Sequence, residues 1–260
     1  ACALAARNRF AVITGGPGTG KTTTVVNLLA ALQAVAGESP ERAGRKYRIR
    51  LAAPTGKAAA RLNESIGGAV SKLPLADLPG SVKLEDIPTK VTTLHRLLGS
   101  RPDTRQFRHH RDNPLLVDIL VIDEASMVDV DLMASVFDAL PASAQLILLG
   151  DKDQLASVEA GAVLGDLCRD AEQGGYSAQT RAWLQARTGE QLNDASLVEG
   201  QQALAQLGQL LLGHRLHFRI GEHPFEIDKF GPHGLHFGGN LRHRLELGIV
   251  AARLDEGVAF

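Results

Sequence analysis

Gly15-Gly16-Pro17-Gly18-Thr19-Gly20-Lys21-Thr22, with Thr23 after it, is the stretch on which the fold turns. Its spacing fits G-x-x-x-x-G-K-[ST], the phosphate-binding loop of nucleoside triphosphatases. Glycines let the backbone curl until successive N–H groups face the same phosphate oxygens. Lys21 can reach the β- and γ-phosphates, and the Thr22 hydroxyl can hold Mg²⁺. The flanks supply the context the motif needs. Phe10–Thr14 reads as a short buried strand. Residues 22–36 read as a helix, with Val25, Leu28, Leu29 and Leu32 at helical spacing. Strand, glycine loop and helix together aim a helix N-terminus at the phosphates. The alternative is a glycine-rich turn that binds nothing.

A chain of 260 residues forms one large domain or two modest ones. Aromatic residues make up only 4%, so the core must be built from Leu, Val, Ile and Ala. The formal net charge of −1 carries no bulk signal for nucleic acid, so any DNA contact must come from local basic clusters. Cys2 and Cys168 are too far apart for a metal spacing and suit a reducing cytoplasm. No stretch is long enough to span a membrane. The opening, Ala1-Cys-Ala-Leu-Ala-Ala-Arg7, has no methionine and no signal-peptide layout, and the first strand follows at once. The expectation is an internal piece of a longer protein.

Downstream, residues 48–53 read as a second strand, stopped by Pro54. Thr55-Gly56 turns the chain into a helix over residues 57–66. Lys57 and Arg61 are four apart and share one helix face. That pair is either a phosphate-backbone contact or an ordinary solvated face. Residues 67–90 carry Pro74, Pro79 and Pro88 and read as loop with a short helix at most. Residues 91–98, with Thr93 and His95, look like a strand end running into a helical turn. Residues 99–114 hold Arg101, Arg105, Arg108, His109, His110 and Arg111, and read as a mobile surface loop or a nucleic-acid contact.

Residues 115–122 are almost wholly apolar and end in Asp123-Glu124. Such a run suits a strand buried on both faces of a parallel sheet. Carboxylates at its end fall on the ligand edge. Asp123 can then hold Mg²⁺, and Glu124 can polarise an attacking water. The alternative is a charge pair at the N-terminus of the next helix, residues 129–140. Residues 145–149 form another buried strand. Past it, the Gln154 amide can both donate and accept near a γ-phosphate, or simply sit in a surface loop. Helices are expected over residues 158–170 and 178–187.

Five motifs occur in order: GGPGTGKTT (residues 15–23), APTGKAAARL (53–62), TLHRLLG (93–99), VIDEASM (121–127) and GDKDQLASVEAGAVLGDL (150–167). With these the chain resembles superfamily 1 DNA helicases, and most closely the RecD family, the alpha subunits of exodeoxyribonuclease V. The resemblance covers roughly residues 1–190. It implies a RecA-like phosphate-loop domain, a three-layer α/β fold with a mostly parallel sheet, over residues 1–192. It implies ATP and Mg²⁺ held by Lys21, Thr22 and Asp123, hydrolysis driven by Glu124, and coupling through Gln154. Pro54, Thr55, Lys57, Arg61, Thr93 and His95 would line a single-strand path. It further implies 5′–3′ movement along DNA, action at duplex ends in recombination repair, and RecB- and RecC-like partner subunits. A phosphate-loop ATPase that never touches DNA, or a fragment that binds ATP without turning it over, are the competing readings.

From about residue 193 the resemblance stops. Leu204, Leu207 and Leu211 still allow a helix over residues 197–212. The arginine-bearing motifs of a second motor domain are not placed, and Arg215 is only a weak candidate for one. His214-x-x-His217 and His233-x-x-His236 suggest zinc, but with no nearby cysteine a solvated or strand-edge reading is favoured. Residues 193–260 are therefore expected to be an atypical tail, a truncation joined to out-of-frame sequence.

Overall fold

The computed structural model describes residues 2–189 except 76–77, 79–81, 102–103, 105, 152–153, 155–162 and 169–177. Beyond 189 it describes only 219–220, 223–224 and 251–253. The expected helix over 197–212, Arg215 and the His214/His217 and His233/His236 pairs lie outside the described residues.

Five strands form a parallel sheet: β1 (Phe10–Thr14), β2 (Ile49–Ala53), β3 (Val91–Thr93), β4 (Ile119–Ile122) and β5 (Gln145–Gly150). Their order is β3-β2-β4-β5-β1. Beyond them β6 (Arg219–Ile220) and β7 (His223–Pro224) pair antiparallel, and β8 (Ala251–Arg253) runs parallel to β1 at the far edge. The helices are α1 (Cys2–Arg7), α2 (Lys21–Glu38), α3 (Gly56–Val70), α4 (Leu94–Leu98), α5 (Val130–Ala139), α6 (Val163–Leu167) and α7 (Ala178–Thr188).

Both faces of the sheet are covered, which is why its strands read as unbroken apolar runs. Alternate residues feed two cores. Ile13, Leu51, Val121, Ile147 and Leu149 pack with Val25, Leu28 and Leu29 of α2 and Leu62 and Ile66 of α3. Val12, Ala52, Leu120, Ile122 and Leu148 pack with Leu94 and Leu98 of α4, Met133 and Val136 of α5, and Leu164 of α6. Helices, sheet and helices make the expected three layers.

Three elements differ from the sequence reading. The strand expected over 115–122 begins only at Ile119. Ahead of it Leu115 bonds back to Ala139 O at 2.8 Å, and Leu116 is 75% exposed. The ladder starts where β2 starts, with the Asp118 and Ile119 amides both donating to Arg48 O. Helix α3 runs four residues past 66. Gly67 and Gly68 cost helix propensity, but buried Leu62, Ile66 and Val70 continue the apolar stripe beyond them. Helix α1 was not foreseen. Its end is clipped by Gln145, whose Nε2 donates to Ala5 O (2.6 Å) and Asn8 O (2.7 Å). Of the helix expected over 158–170, the described part is α6.

Candidate active site at the carboxyl edge of the sheet

Because the strands run parallel, all their carboxyl ends meet on one edge. The loop after β1 stands there with the acid pair after β4, the segment after β5, and the turns that follow β2 and β3.

The loop is bent by two left-handed glycines, Gly18 (φ 80°) and Gly20 (φ 81°), a region that side chains with a Cβ avoid. Thr19 Oγ1 donates to Gly16 O at 2.9 Å and braces the bend. The Lys21 ammonium folds back over the loop, donating to Gly15 O (2.5 Å) and Gly16 O (2.8 Å). Helix α2 starts at Lys21, so its first-turn N–H groups open toward the loop, with Thr22 half-buried and Thr23 exposed. Gly15 N–H donates to Gly150 O at 3.2 Å, which ties the loop to the end of β5.

The Asp123 amide donates to Ala52 O (2.9 Å), so this residue still belongs to the ladder. Glu124 then turns left-handed (φ 52°, ψ 40°), an unusual state for a residue with a side chain, and a 3-10 turn, Ala125–Met127, follows. Burial pushes the Asp123 carboxyl above the usual carboxylate range. The Glu124 charge adds to this, while a hydrogen bond from the Glu124 backbone and the Lys21 ammonium pull the other way. Asp123 thus lies within electrostatic reach of Lys21. Gln154 lies in an exposed bend, its N–H donating to Asp151 O at 3.3 Å, while Asp151 itself is buried.

The candidate strand-path residues share the edge, on the side of β2 and β3. Ala53 and Thr93 are register partners, so the turns at Pro54-Thr55 and Thr93 begin side by side. Both threonines have a structural task that the sequence reading missed. Thr55 Oγ1 accepts from Ala58 N–H (3.2 Å) and caps α3. Thr93 Oγ1 accepts from Arg96 N–H (3.3 Å) and caps α4. A Thr directly before a helix was the available signal. Lys57 and Arg61 are exposed on α3. His95 is exposed and meets Phe107 edge-on at 5.9 Å between ring centroids. The basic stretch after α4 is held at Ser100↔Phe107 and His110↔Asn113, and Arg111 pairs with Asp138 at 3.4 Å. Gly150 was also missed. A Cβ there would crowd the backbone of the acid turn, 3.2 Å from Ser126 N and 3.4 Å from Ala125 N, so glycine lets that turn pack tightly against β5.

A family model described as an AAA domain matches residues 1–160. The RecBCD enzyme subunit RecD of Haemophilus influenzae is 48% identical over 189 residues, 73% of this chain and 28% of that protein. The RecBCD enzyme subunit RecD of Mycobacterium tuberculosis is 44% identical over 269 residues, 98% of this chain and 44% of that protein, so the likeness to it continues past residue 192. The ATP-dependent RecD2 DNA helicase of Deinococcus radiodurans is 40% identical over 166 residues, 64% of this chain and 19% of that protein. The chain thus spans less than half the length of each of these relatives. The family model spans well over half of the chain, so the chain belongs to the AAA domain family, and within it the chain is similar to these RecD subunits.

Proposed function

We propose that this chain is an ATP-hydrolysing motor domain of a DNA helicase, working with RecB- and RecC-like subunits on duplex ends in the cytoplasm. The observation that carries this reading is the shared edge. A phosphate loop and an acid pair stand on it, and the helices that follow β2 and β3 carry exposed basic and imidazole groups, Lys57 and Arg61 on α3 and His95 on α4. The relatives' names, RecBCD enzyme subunit and ATP-dependent DNA helicase, support it. In this reading the first motor domain ends near residue 192.

The residues present fit ATP and Mg²⁺. The left-handed glycines leave the loop free of side chains where phosphates would approach. A half-buried carboxyl within electrostatic reach of an ammonium, with a threonine hydroxyl at the start of α2, is a hard-oxygen donor set suited to Mg²⁺. Mg²⁺, when bound, neutralises charge on the β- and γ-phosphate oxygens. Gly15, Gly16, Pro17, Gly18, Thr19, Gly20, Lys21, Thr22 and Thr23 form the cradle. Lys21 exchanges its carbonyl partners for phosphate oxygens. Thr22 and Asp123 hold the metal. Glu124 orients water and takes its proton, and Gln154 follows the γ-phosphate. Pro54, Thr55, Lys57, Arg61, Thr93 and His95 contact the single strand, with 5′–3′ movement as in the family it resembles.

Steady-state ATP turnover by the intact protein, with and without a single-stranded oligonucleotide, tests the reading. Turnover should rise at least ~10-fold with DNA and vanish in Lys21→Ala. Turnover indifferent to DNA would leave a phosphate-loop ATPase with another partner.

A further inference from the structure

A cavity of about 460 Å³ opens at the amino ends of β2 and β3, the opposite end of the sheet from the candidate nucleotide groups. It arises because the two strands start at different levels. β3 pairs only with Leu51–Ala53 of β2, so Ile49 and Arg50 run on past its start. Pro88, shortly before β3, has no N–H to give to a ladder. β2 bonds to β4 through alternate residues: Arg48 O accepts from the Asp118 and Ile119 amides, and Ala52 O from that of Asp123. The backbone of Ile49 therefore turns the other way, into the notch beside β3.

The outer wall of the notch is firmly held. A 3-10 turn, Leu84–Asp86, forms it. The Asp86 carboxylate accepts from Lys83 N–H at 2.9 Å, and Asp86 O accepts from Nε2 of Gln33, a buried residue of α2, at 2.7 Å. Ile87, next in the chain, is buried in the core. The lining is apolar at Ile49, Ile87, Pro88 and Leu84, and Leu84 is 56% exposed. Beside these stand two exposed cations, Arg50 and Lys90. The acid of the lining, Glu85, lies 3.5 Å from Lys83, so that pair cancels. The notch thus keeps a positive balance in a chain whose formal net charge is −1. An exposed apolar side chain rimmed by charge is the mark of a protein contact.

We propose that this notch is the docking site for an extended segment of a partner subunit, one that carries carboxylates beside an apolar side chain. The segment lies along Ile49 in the lane that β3 enters only at Val91, so main-chain bonds hold it. Its apolar side chain covers Leu84 and Pro88, and its carboxylates meet Arg50 and Lys90. A nucleic-acid strand fits worse. Phosphate contacts gain nothing from Leu84 and Pro88, and the candidate strand path lies at the other ends of β2 and β3. The proposal rests on the reading above that the chain works in a subunit complex, and it names the surface that joins it.

The test is the affinity of the intact protein for its RecB- and RecC-like subunits, comparing wild type, Arg50→Glu combined with Lys90→Glu, and Leu84→Ala. The double variant should bind at least ~10-fold more weakly at low salt, and the gap should narrow as salt rises. Leu84→Ala should weaken binding several-fold at either salt. The altered residues are exposed, so each variant should melt with wild type. Oligonucleotide binding by the intact protein alone should stay at the wild-type level. Wild-type subunit affinity in either variant overturns the proposal, and so does a loss that comes with a lowered melting temperature. Oligonucleotide binding that weakens while assembly stays intact assigns the notch to nucleic acid and overturns it too. Self-association of the intact protein, lost in the double variant, assigns it to a second copy with the same effect. If wild type joins no such subunit, the complex reading fails and this inference falls with it. If wild type assembles and the variants match it, only the inference falls.

Discussion

At Asp123 two demands oppose each other. Burial makes the ionised carboxylate costly, yet the proposed metal binding would need it ionised. Its folded carboxyl holds a proton more tightly than the unfolded one. Its contribution to stability is therefore largest at low pH and is lost as pH rises through the raised value. Asp123→Asn removes that penalty. In thermal melts near neutral pH without nucleotide, this variant should unfold roughly 2–4 °C above wild type, the shift ~1 kcal/mol makes in a domain of this size. The same variant should lose Mg²⁺-dependent stabilisation by ATPγS. An unchanged or lower melting temperature would show that burial does not dominate at this position. Glu124 could be read from sequence as an acid after a buried strand, but not as a left-handed residue. The turn that follows it packs against Gly150 and α6, neighbours distant in sequence.

At the scale of the element, the cap of α3 lets structure and DNA contact be separated. Thr55→Ala removes the acceptor for Ala58 N–H and should cost about 1 kcal/mol in urea unfolding. Thr55→Asp keeps a good cap and adds a negative charge. It should retain wild-type stability but weaken single-strand binding several-fold in fluorescence anisotropy, mostly at low salt. Equal DNA affinity in Thr55→Asp would remove Thr55 from the strand path. At the opposite end of the sheet Asp118 clamps the start of β2 to β4. Its carboxylate accepts from Arg48 N (2.8 Å), Nε (3.1 Å) and a terminal guanidinium nitrogen (2.9 Å). The Arg48 side chain holds this carboxyl below the usual range. Stability from the clamp is fully present above the unfolded value of 3.8 and is lost as pH falls through the depressed folded one. Arg48 is 57% exposed, so Asp118→Asn should cost only about 1 kcal/mol near pH 7. The gap to wild type should shrink near pH 3. A gap that does not close on acidification would mean that the clamp is not electrostatic.

The strands were legible because a sheet covered on both faces forces continuous apolar runs, and the glycine loop because two of its bends, at Gly18 and Gly20, are left-handed. The start of β4 was not, since hydrophobicity alone cannot say where a neighbouring strand begins to pair. Residues 67–70 were misread because two glycines spoke louder than the buried Val70 after them. Gly150 and the two threonine caps act through tertiary neighbours, so their sequence signal is one small residue in a suitable place.

For the molecule as a whole, the parallel sheet sets the division of labour. One edge gathers the candidate nucleotide groups at β1, β4 and β5, and the candidate strand contacts at β2 and β3. In the resembling family a second motor domain closes on the nucleotide and supplies arginines, worth ~10³–10⁵-fold in rate. The 260-residue chain on its own should therefore bind ATP but turn it over more slowly than the intact protein by about that factor. Comparable rates, measured by phosphate release, would show that the chain's own groups complete the site.

The most direct check on the central claim is strand displacement by the intact protein on a duplex carrying a single-stranded tail at the 5′ or the 3′ end. The account predicts ATP-dependent displacement from the 5′-tailed duplex, lost in Glu124→Gln, which should still bind ATP. No displacement from either duplex, or displacement that Glu124→Gln leaves intact, would contradict it.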